Sequence, residues 1–322
     1  MDSLPHGGRL QAARRCFPGA PSPFLDLSTG INPHPYPFTP PRPEAWARLP
    51  EPEDVDALQA AAARAYGVHD PACVVAAPGT QALIQLLPRV LPQDDIAIPG
   101  PTYAEHAAAW RAAGTRVHAD LGGARAAVLC NPNNPDGRRH DAEALARLRA
   151  GLDLLVVDEA FADFEAGGSA AAPCPAPGLV VLRSFGKAYG LAGLRLGFAL
   201  AEAGVAARLR AALGEWAVSG PAIAIGREAL GDEGWRREAA LRAHGGATRL
   251  DGVLGAAGFG AVGGTALFRL VSHPEAGVVA ERLGRAGILV RRFEAAPTWL
   301  RFGLPGCEAA WARLAAAATV AG

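Results

Sequence analysis

The chain has 322 residues, of which 50% are hydrophobic and 19% charged, and its formal net charge is zero. This composition is typical of a folded globular protein with room for more than one domain, and it excludes a disordered chain. Because the neutral balance gives no basic field that would attract nucleic acid or an anionic membrane, we predict neither as a partner.

The five cysteines are scattered, and none belongs to a C-x-x-C pair. This pattern favours reduced thiols over a disulfide framework or a zinc site. The eight histidines form no H-x-H or H-x-x-x-H pair, which also argues against a metal site. The N-terminus lacks a basic segment followed by an apolar one, and no apolar stretch is long enough to span a bilayer. We therefore expect a cytoplasmic protein.

Residues 1–45 are rich in proline and glycine and are predicted to form an arm without a core element. Helical spacing follows from Val55 to Tyr66 and ends at Gly67. Beyond it, short apolar runs alternate with helical segments, which favours a mostly parallel sheet with helices on both faces. The predicted strands are 73–77, 95–98, 115–119, 126–130, 154–157, 179–182 and 194–200, and helices between them include 81–90, 104–113 and 141–150.

The pattern changes at about residue 235, where a long helical segment runs to about residue 254. Strand-like runs at 266–271, 288–291 and 299–302 and a final helix at 308–318 predict a smaller α+β domain. The glycine-rich residues 258–264 follow no good strand and are interpreted as turns. The predicted organisation is an arm (1–45), a large α/β domain with a seven-stranded sheet (46–234) and a small domain (235–322).

Lys187 is the only lysine among 31 lysine and arginine residues. An ammonium can lose its proton and attack a carbonyl, whereas a guanidinium cannot. The motif around it, S-F-G-K-A-Y-G-L-A-G-L-R-L-G-F (184–198), places the lysine on a turn of small residues after an apolar run. Chance survival of one lysine in an arginine-rich chain is the alternative interpretation.

Polar residues follow four of the predicted strands, at the ends where open parallel sheets bind ligands. Each group taken alone fits a helix cap or a turn, but together they favour a Schiff-base site. Pyridoxal phosphate (PLP) needs an amine, a carboxylate at its ring nitrogen, an anion site and groups that fix the ring. The candidates are Lys187 as the amine, Asp158 as the carboxylate, Gly79, Thr80, Gln81, Ser184 and Arg195 for the phosphate, Tyr103 for stacking and Asn134 for the ring hydroxyl.

The order N-P-N-N-P-D-G (131–137), D-E-A-F (158–161) and the lysine motif resembles the fold-type-I PLP enzymes of the class I/II aminotransferase superfamily. The resemblance covers nearly the whole chain and implies a homodimer with PLP as cofactor. Within the superfamily, residues 6–8, L-D-L-S-T-G-I-N-P (25–33) and L-R-F-G-L-P-G (300–306) resemble the cobalamin-biosynthetic branch, the threonine-phosphate decarboxylases.

That branch implies decarboxylation of O-phospho-L-threonine to (R)-1-aminopropan-2-yl phosphate. A histidinol-phosphate-type aminotransferase is the alternative, since it uses the same residues but breaks the Cα–H bond. A non-catalytic scaffold is disfavoured by the intact lysine, aspartate and arginine. By resemblance, Arg301 holds the substrate carboxylate, Arg291 and Asn134 are further contacts, and His6, Gly7, Gly8, Thr29, Gly30 and Asn32 face the substrate phosphate.

Three positions depart from the superfamily pattern. Phe161 replaces a tyrosine that donates to the ring hydroxyl in many aminotransferases, which disfavours transamination. Gly186 precedes the lysine where serine or threonine is common. Leu49 stands where relatives often place a tyrosine that reaches the neighbouring subunit's cofactor phosphate, so one contact between subunits is expected to be missing.

Overall fold

The computed structural model of the chain describes residues 7–166, 169–170 and 174–319. It divides into two compact units. The large unit comprises Pro35–Asn134 and Arg138–Arg237, and the small unit comprises Met1–His34, Pro135–Gly137 and Glu238–Gly322. The three-part domain division drawn from the sequence stays a prediction. His6, a predicted substrate contact, lies outside the described residues.

The predicted alternation of strands and helices is confirmed, and the predicted strand 126–130 and helix 308–318 keep their bounds. The strands are β1 (Leu25–Asp26), β2 (Val74–Ala77), β3 (Asp95–Ala97), β4 (Arg116–His118), β5 (Ala126–Cys130), β6 (Leu154–Asp158), β7 (Leu179–Ser184), β8 (Gly197–Ala201), β9 (Gly260–Thr265), β10 (Phe268–Ser272), β11 (Ile288–Leu289), β12 (Arg291–Arg292) and β13 (Trp299–Gly303). The α-helices are α1 (Leu10–Cys16), α2 (Pro43–Ala47), α3 (Pro52–Tyr66), α4 (Thr80–Val90), α5 (Ala104–Ala112), α6 (Ala142–Ala150), α7 (Phe185–Ala188), α8 (Ala203–Leu213), α9 (Gly220–Gly231), α10 (Glu233–Ala256), α11 (Ala276–Arg285) and α12 (Glu308–Ala318).

A seven-stranded sheet forms the centre of the large unit, in the order β2-β8-β7-β6-β5-β3-β4. Only β8 runs against its neighbours, β2 and β7. All residues of β5, β6, β7 and β8 are buried, so both faces of the sheet are covered. The predicted α/β architecture is therefore confirmed.

Helix α4 illustrates how the sequence builds this unit. Leu83, Ile84 and Leu87 are buried in one core cluster with residues of β5, β6 and β7. Their spacing of one, three and four residues puts them on one helix face. Because α4 follows β2 directly, packing this face on the sheet fixes the start of the helix at the carboxyl edge of the strands.

The small unit contains a four-stranded antiparallel sheet in the order β12-β13-β10-β9. Strand β1 pairs in parallel with β11, in a separate two-stranded sheet. The predicted strand at 288–291 therefore divides into β11 and β12, which join different sheets. The α+β character expected for this part of the chain is confirmed.

The prediction that residues 1–45 hold no core element is wrong. Helix α1 buries Ala13, which packs with Phe24 and Leu289 in a small core that Leu10 and Phe17 border. Positions 10, 13 and 17 recur at helical spacing, and the many prolines and glycines around them concealed this period.

The interpretation of residues 258–264 as turns is also wrong, because Gly260–Thr265 form strand β9 and pair with β10. The glycines have a packing reason. A Cβ atom on Gly263 would lie 2.0 Å from the carbonyl oxygen of Asp136. Another stretch of backbone passes so close that only glycine fits. Among the described residues, no helix is both long and apolar enough to cross a membrane.

Candidate active site

Four strands of the large unit point the same way and end at one edge of the sheet, namely β2, β5, β6 and β7. Thr80 begins the helix after β2, Asp158 is the last residue of β6, and Lys187 lies in the short helix after β7. Residues far apart in sequence thus reach the same edge. This arrangement matches the expectation drawn from the alternating pattern.

Asp158 is buried and paired with a histidine. Its Oδ2 lies 2.8 Å from Nε2 of His106, and the two side chains are 6% and 1% exposed. Its Oδ1 accepts a hydrogen bond of 3.0 Å from the backbone N–H of Ala160. A carboxylate taken out of water needs such partners, so His106 and Ala160 keep Asp158 in a defined orientation.

His106 is a cation in this environment. Burial lowers its pKa, but hydrogen bonds to Asp158 and Cys130 and the electrostatic interactions with both outweigh burial and raise the pKa from 6.5 to about 10. The ring therefore carries a proton on each nitrogen at neutral pH. The pair is thus a buried carboxylate, one oxygen of which, Oδ2, contacts a positively charged ring.

Lys187 lies half-buried in α7, directly after β7. Its Nζ is 5.6 Å from the centre of the Phe161 ring. Phe161 is buried, and its aromatic face lies towards the Lys187 amine. Because the side chain has no hydroxyl, it offers no hydrogen-bond donor at this position. The departure from tyrosine seen in the sequence therefore lies beside the amine of Lys187.

The glycine before the lysine has a steric reason. A Cβ on Gly186 would lie 2.7 Å from Cα of Ala192, which is a backbone atom that cannot swing away. The part of the lysine motif that contains Ala192 packs against α7 at this point. A serine or threonine at position 186 would require Ala192 to move.

Tyr103 is fixed by a chain of hydrogen bonds. Its hydroxyl donates to Oε1 of Gln81 at 3.1 Å, and Nε2 of Gln81 donates to Glu105 at 2.8 Å. Burial, with Glu105 as the next contributor, raises the pKa of Tyr103 to about 12, so the side chain is a neutral phenol. The ring is thereby held as a rigid platform beside the start of α4.

The start of α4 is shaped to receive an anion. Gly79 precedes the helix with a φ of 84°, and a Cβ there would lie 2.5 Å from Nη2 of Arg195. A Cβ on Gly197 would lie 2.6 Å from the backbone nitrogen of Thr80. Because both positions are glycine, Arg195 and strand β8 can approach the start of α4 closely. Helix N-termini with an arginine nearby bind phosphate. Ser184 is the residue before α7, three positions before Lys187, and it is buried.

The asparagines after β5 divide into two roles. Asn131 exchanges two hydrogen bonds with the backbone of His140, and Asn133 bonds to Thr102 and to the carbonyl of Pro101. These amides hold the loop itself. Asn134 follows them, half-buried at the end of this stretch, where the sequence predicted a cofactor or substrate contact.

The small unit contains a buried guanidinium. Arg301 in β13 donates to the carbonyl of Ser28 at 2.9 Å and lies 5.0 Å from the ring centre of Phe268. Burial and, to a lesser extent, Arg291 lower its pKa to about 10, and Asp26 opposes the shift. Burial also lowers the pKa of Arg291. Asp26 acts on Arg301 and Glu294 acts on Arg291, yet burial still disfavours both charged forms. An anionic ligand would offset that cost.

The remaining predicted contacts also lie in the small unit. The backbone N–H of Gly8 donates to Oγ of Ser28 at 2.9 Å. Oδ1 of the buried Asn32 accepts from the backbone N–H of His34 at 3.0 Å, so this oxygen shapes a turn. Asn32 also lines a cavity of about 290 Å³, together with Arg242. The other predicted contacts here, in or beside the same segments, are Gly7, Thr29 and Gly30.

Two residues of this geometry were missed by reasoning from sequence: His106 and Glu105. Ser28 lies in the segment 25–33 singled out above, but its contacts with Asp26 and Gly8 were not predicted. His106 lies three residues after Tyr103, in the first turn of α5. Residues three apart lie on the same helix face, and this spacing was the available signal. Glu105 acts through a contact made by folding, with Gln81, and no local pattern marks it.

The residues of the large unit fit PLP, the cofactor implied by the resemblance. Lys187 supplies an amine, the Asp158–His106 pair a buried carboxylate for the ring nitrogen, and Tyr103 a neutral aromatic platform. The glycine-lined start of α4 supplies room for a phosphate group. Each requirement of the cofactor is met by a side chain or a backbone feature at one sheet edge.

Comparison with known proteins gives a consistent result. The family "Aminotransferase class I and II" matches residues 42–318. A threonine-phosphate decarboxylase from Sinorhizobium sp. is 46% identical over 325 residues, which covers 96% of each chain. One from Pseudomonas aeruginosa is 43% identical over 327 residues and covers 98% of this chain and 97% of its own.

Among solved structures, a histidinol-phosphate aminotransferase from Sinorhizobium meliloti in complex with pyridoxal 5'-phosphate superposes with a TM-score of 0.83. It covers 98% of this chain and 94% of its own, at 22% identity. At that identity the likeness establishes the fold, which is the fold expected from the sequence.

Proposed function

This chain belongs to the class I and II aminotransferase family, and we propose that within it the protein decarboxylates O-phospho-L-threonine to 1-aminopropan-2-yl phosphate with PLP as cofactor. One observation carries the proposal. Two threonine-phosphate decarboxylases align with this chain over nearly its full length at 46% and 43% identity. The geometry of the large unit supports it, since it holds every group that such a cofactor needs.

PLP, when bound, supplies an electron sink for the bond that breaks at the substrate Cα. The protein supplies the surroundings. Lys187 holds the cofactor through its amine, and Asp158 keeps a proton on the ring nitrogen. His106, itself charged, pairs with the Asp158 carboxylate and keeps it oriented. Tyr103 fixes the plane of the ring because Gln81 and Glu105 prevent the phenol from turning.

Proton transfer is assigned to Lys187. When the Cα–carboxylate bond breaks, its electrons stay with Cα and CO2 leaves, so one proton must be delivered to Cα. Tyr103 is a poor donor, because its hydroxyl hydrogen points to Gln81 and its pKa is raised to about 12. Phe161 has no proton to give. His106 is also a cation, but it is buried and its Nε2 proton is held by Asp158. The step is therefore assigned to the ammonium of Lys187.

Arg301 and Arg291 are assigned to the anionic groups of the substrate. Arg301 is the more buried of the two and is held by the Ser28 carbonyl, so it suits the carboxylate that must be placed with precision. The backbone around Gly7, Gly8, Thr29 and Gly30 is assigned to the phosphate, with Asn32 beside it. These roles, and those of His6 and Asn134, are part of the proposal.

The proposal includes the quaternary structure and the location. Trp46 and Leu49 on or next to α2 and Trp216 before α9 are 70%, 62% and 57% exposed. Helices α2 and α9 pack closely, since a Cβ on Gly220 would lie 2.2 Å from the carbonyl of Ala45. Exposed apolar side chains on adjoining elements favour a homodimer interface. A cytoplasmic location and a role in cobalamin biosynthesis follow from the same resemblance.

The test is whether the purified protein releases CO2 from phosphothreonine without a keto-acid acceptor. The alternative, an aminotransferase for histidinol phosphate, would need an acceptor and would release no CO2. A solved structure that carries this name is 22% identical and supports the fold alone. Curated proteins with this name match at lower identity and over less of the chain than the two decarboxylases, so the decarboxylase is favoured.

A further inference from the structure

Ser28 joins three parts of the small unit. Its Oγ donates to Oδ1 of Asp26 at 2.5 Å and accepts from the backbone N–H of Gly8 at 2.9 Å. Its carbonyl oxygen accepts from Nη2 of Arg301 at 2.9 Å. The residue is 1% exposed. One buried serine thus contacts both the glycine pair near the N-terminus and the buried guanidinium.

The direction of these hydrogen bonds is set by Asp26. An ionised carboxylate can only accept, so the hydroxyl hydrogen of Ser28 must point to Asp26. The lone pairs of Oγ are then left for the N–H of Gly8. Asp26 is itself fixed, because its Oδ1 also accepts from the backbone N–H of Ser28 at 2.9 Å and its backbone belongs to β1, which pairs with β11.

The contact with the glycine pair is close enough to depend on the residues present. A Cβ on Gly7 would lie 2.6 Å from the carbonyl oxygen of Ser28 and 2.9 Å from its Oγ. Gly8 has a φ of 81°, which other residues rarely adopt. The backbone at positions 7 and 8 can therefore pack against Ser28 only if both residues are glycine. This packing places the N–H of Gly8 on the same residue whose carbonyl holds Arg301.

We propose that Ser28 is a positioning residue that holds the glycine pair and Arg301 in one fixed arrangement. The inference rests on the proposed function, in which Arg301 binds the substrate carboxylate and the glycine pair lies at the substrate phosphate. Ser28 would then couple the binding of one anionic group to the placement of the other. Its loss raises KM for phosphothreonine and reduces the preference over unphosphorylated threonine, while cofactor binding is unchanged.

The experiment compares Ser28→Ala with Ser272→Ala in the cofactor-loaded full-length protein. Ser272 also lies in the small unit, but its hydroxyl makes only one exposed contact of 3.4 Å, with the carbonyl of Gly260, so it is a matched control. Arg9 follows the glycine pair directly, is exposed, and offers trypsin a cleavage site. Brief trypsin treatment, followed by mass spectrometry, measures cleavage after Arg9 without any substrate.

Losing one such hydrogen bond corresponds to roughly a fivefold to tenfold change in an equilibrium. In Ser28→Ala we therefore expect cleavage after Arg9 to be about fivefold to tenfold faster and KM for phosphothreonine to rise by a similar factor. The kcat and the absorbance of the bound cofactor should stay close to wild type. Ser272→Ala should match wild type in all four measurements.

A second variant covers the case in which Ser28→Ala does not fold. Asp26→Asn keeps the size of the side chain but removes the acceptor-only carboxylate, so it should also speed cleavage after Arg9 and raise KM. Wild-type protection of Arg9 and wild-type KM in both variants would overturn the role of Ser28. That result differs from failure of the proposed function, which would appear as absence of CO2 release by the wild-type protein.

Discussion

Nε2 of His106 lies 2.8 Å from Oδ2 of Asp158, and both side chains are buried at the carboxyl edge of the large sheet. His106 comes from α5 and Asp158 from the end of β6, so folding creates a pair that no short motif encodes. The positive charge on His106 gives the buried carboxylate a partner in place of water. In the proposed function this carboxylate maintains the proton on the cofactor ring, and several predictions rest on it.

Replacing Asp158 by asparagine should remove the negative charge and keep the shape. Without the charge, the ring nitrogen of the cofactor loses its proton and its capacity to accept electrons. We expect turnover to fall by about 10³-fold or more, an effect of the size seen when a charge aimed at the reacting group is lost. The cofactor should still bind, as shown by its absorbance. A turnover near that of wild type would place the ring elsewhere.

Stability of the cofactor-free protein should depend on pH through His106. The folded pKa, about 10, lies above the ordinary value of 6.5, so the folded state holds this proton more tightly than the unfolded state. The stabilisation is complete below pH 6.5 and is lost as pH rises towards 10, with a slope of at most about 1.4 kcal/mol per pH unit.

Urea titrations at several pH values between 6.5 and 10 measure this effect. The decline of the unfolding free energy with pH should be clearly shallower in His106→Gln, because the glutamine does not titrate. Parallel pH dependence in the two proteins would mean that the His106 proton is not held in this way.

Lys187 should carry the cofactor covalently. Borohydride reduction of the loaded protein should fix the cofactor to the peptide that contains Lys187, the only lysine in the chain. In Lys187→Arg the guanidinium keeps the charge but cannot react, so we expect a folded protein, no reducible adduct and loss of turnover. Retention of full activity by this variant would exclude the assigned role.

Glu105 should affect cofactor retention although it is not part of any motif. It anchors Gln81, which in turn accepts from Tyr103, so Glu105→Ala frees the ring to turn. We expect the cofactor to dissociate about tenfold faster, since one charge-assisted hydrogen bond is lost. Glu143, which also lies in the first turn of a helix, serves as the control in Glu143→Ala. Equal dissociation rates in the two variants would show that the chain of hydrogen bonds is not needed.

The sequence predicted the large sheet well because its strands are continuous apolar runs between helices. Strand β5 has the predicted bounds, and β6 and β7 extend the predicted ones by one and two residues. The strand predicted at 194–200 begins only at Gly197, because Arg195 adopts a left-handed backbone with a φ of 53°. Such a local conformation leaves no trace in a hydrophobic pattern.

Prediction failed where tertiary packing overrides composition. Strand β9 is rich in glycine because the backbone at Asp136 passes so close to Gly263 that no side chain fits. In the N-terminal segment, prolines concealed the helical spacing of Leu10, Ala13 and Phe17. At the candidate site, the lysine motif and the Asp158 position were visible in the sequence, but His106 was not. Its charge depends on Asp158 and Cys130, which only the fold brings next to it.

The measurement that tests the central claim most directly uses O-phospho-L-threonine labelled with ¹³C at the carboxylate, in deuterated water, with PLP and no keto acid. The account predicts labelled CO2 and aminopropanol phosphate in equal amounts, with one solvent deuterium at the former Cα. Lys187→Arg, run in parallel, should release no CO2. Absence of labelled CO2 from the wild-type protein, together with acceptor-dependent formation of a keto compound from histidinol phosphate, would contradict the account.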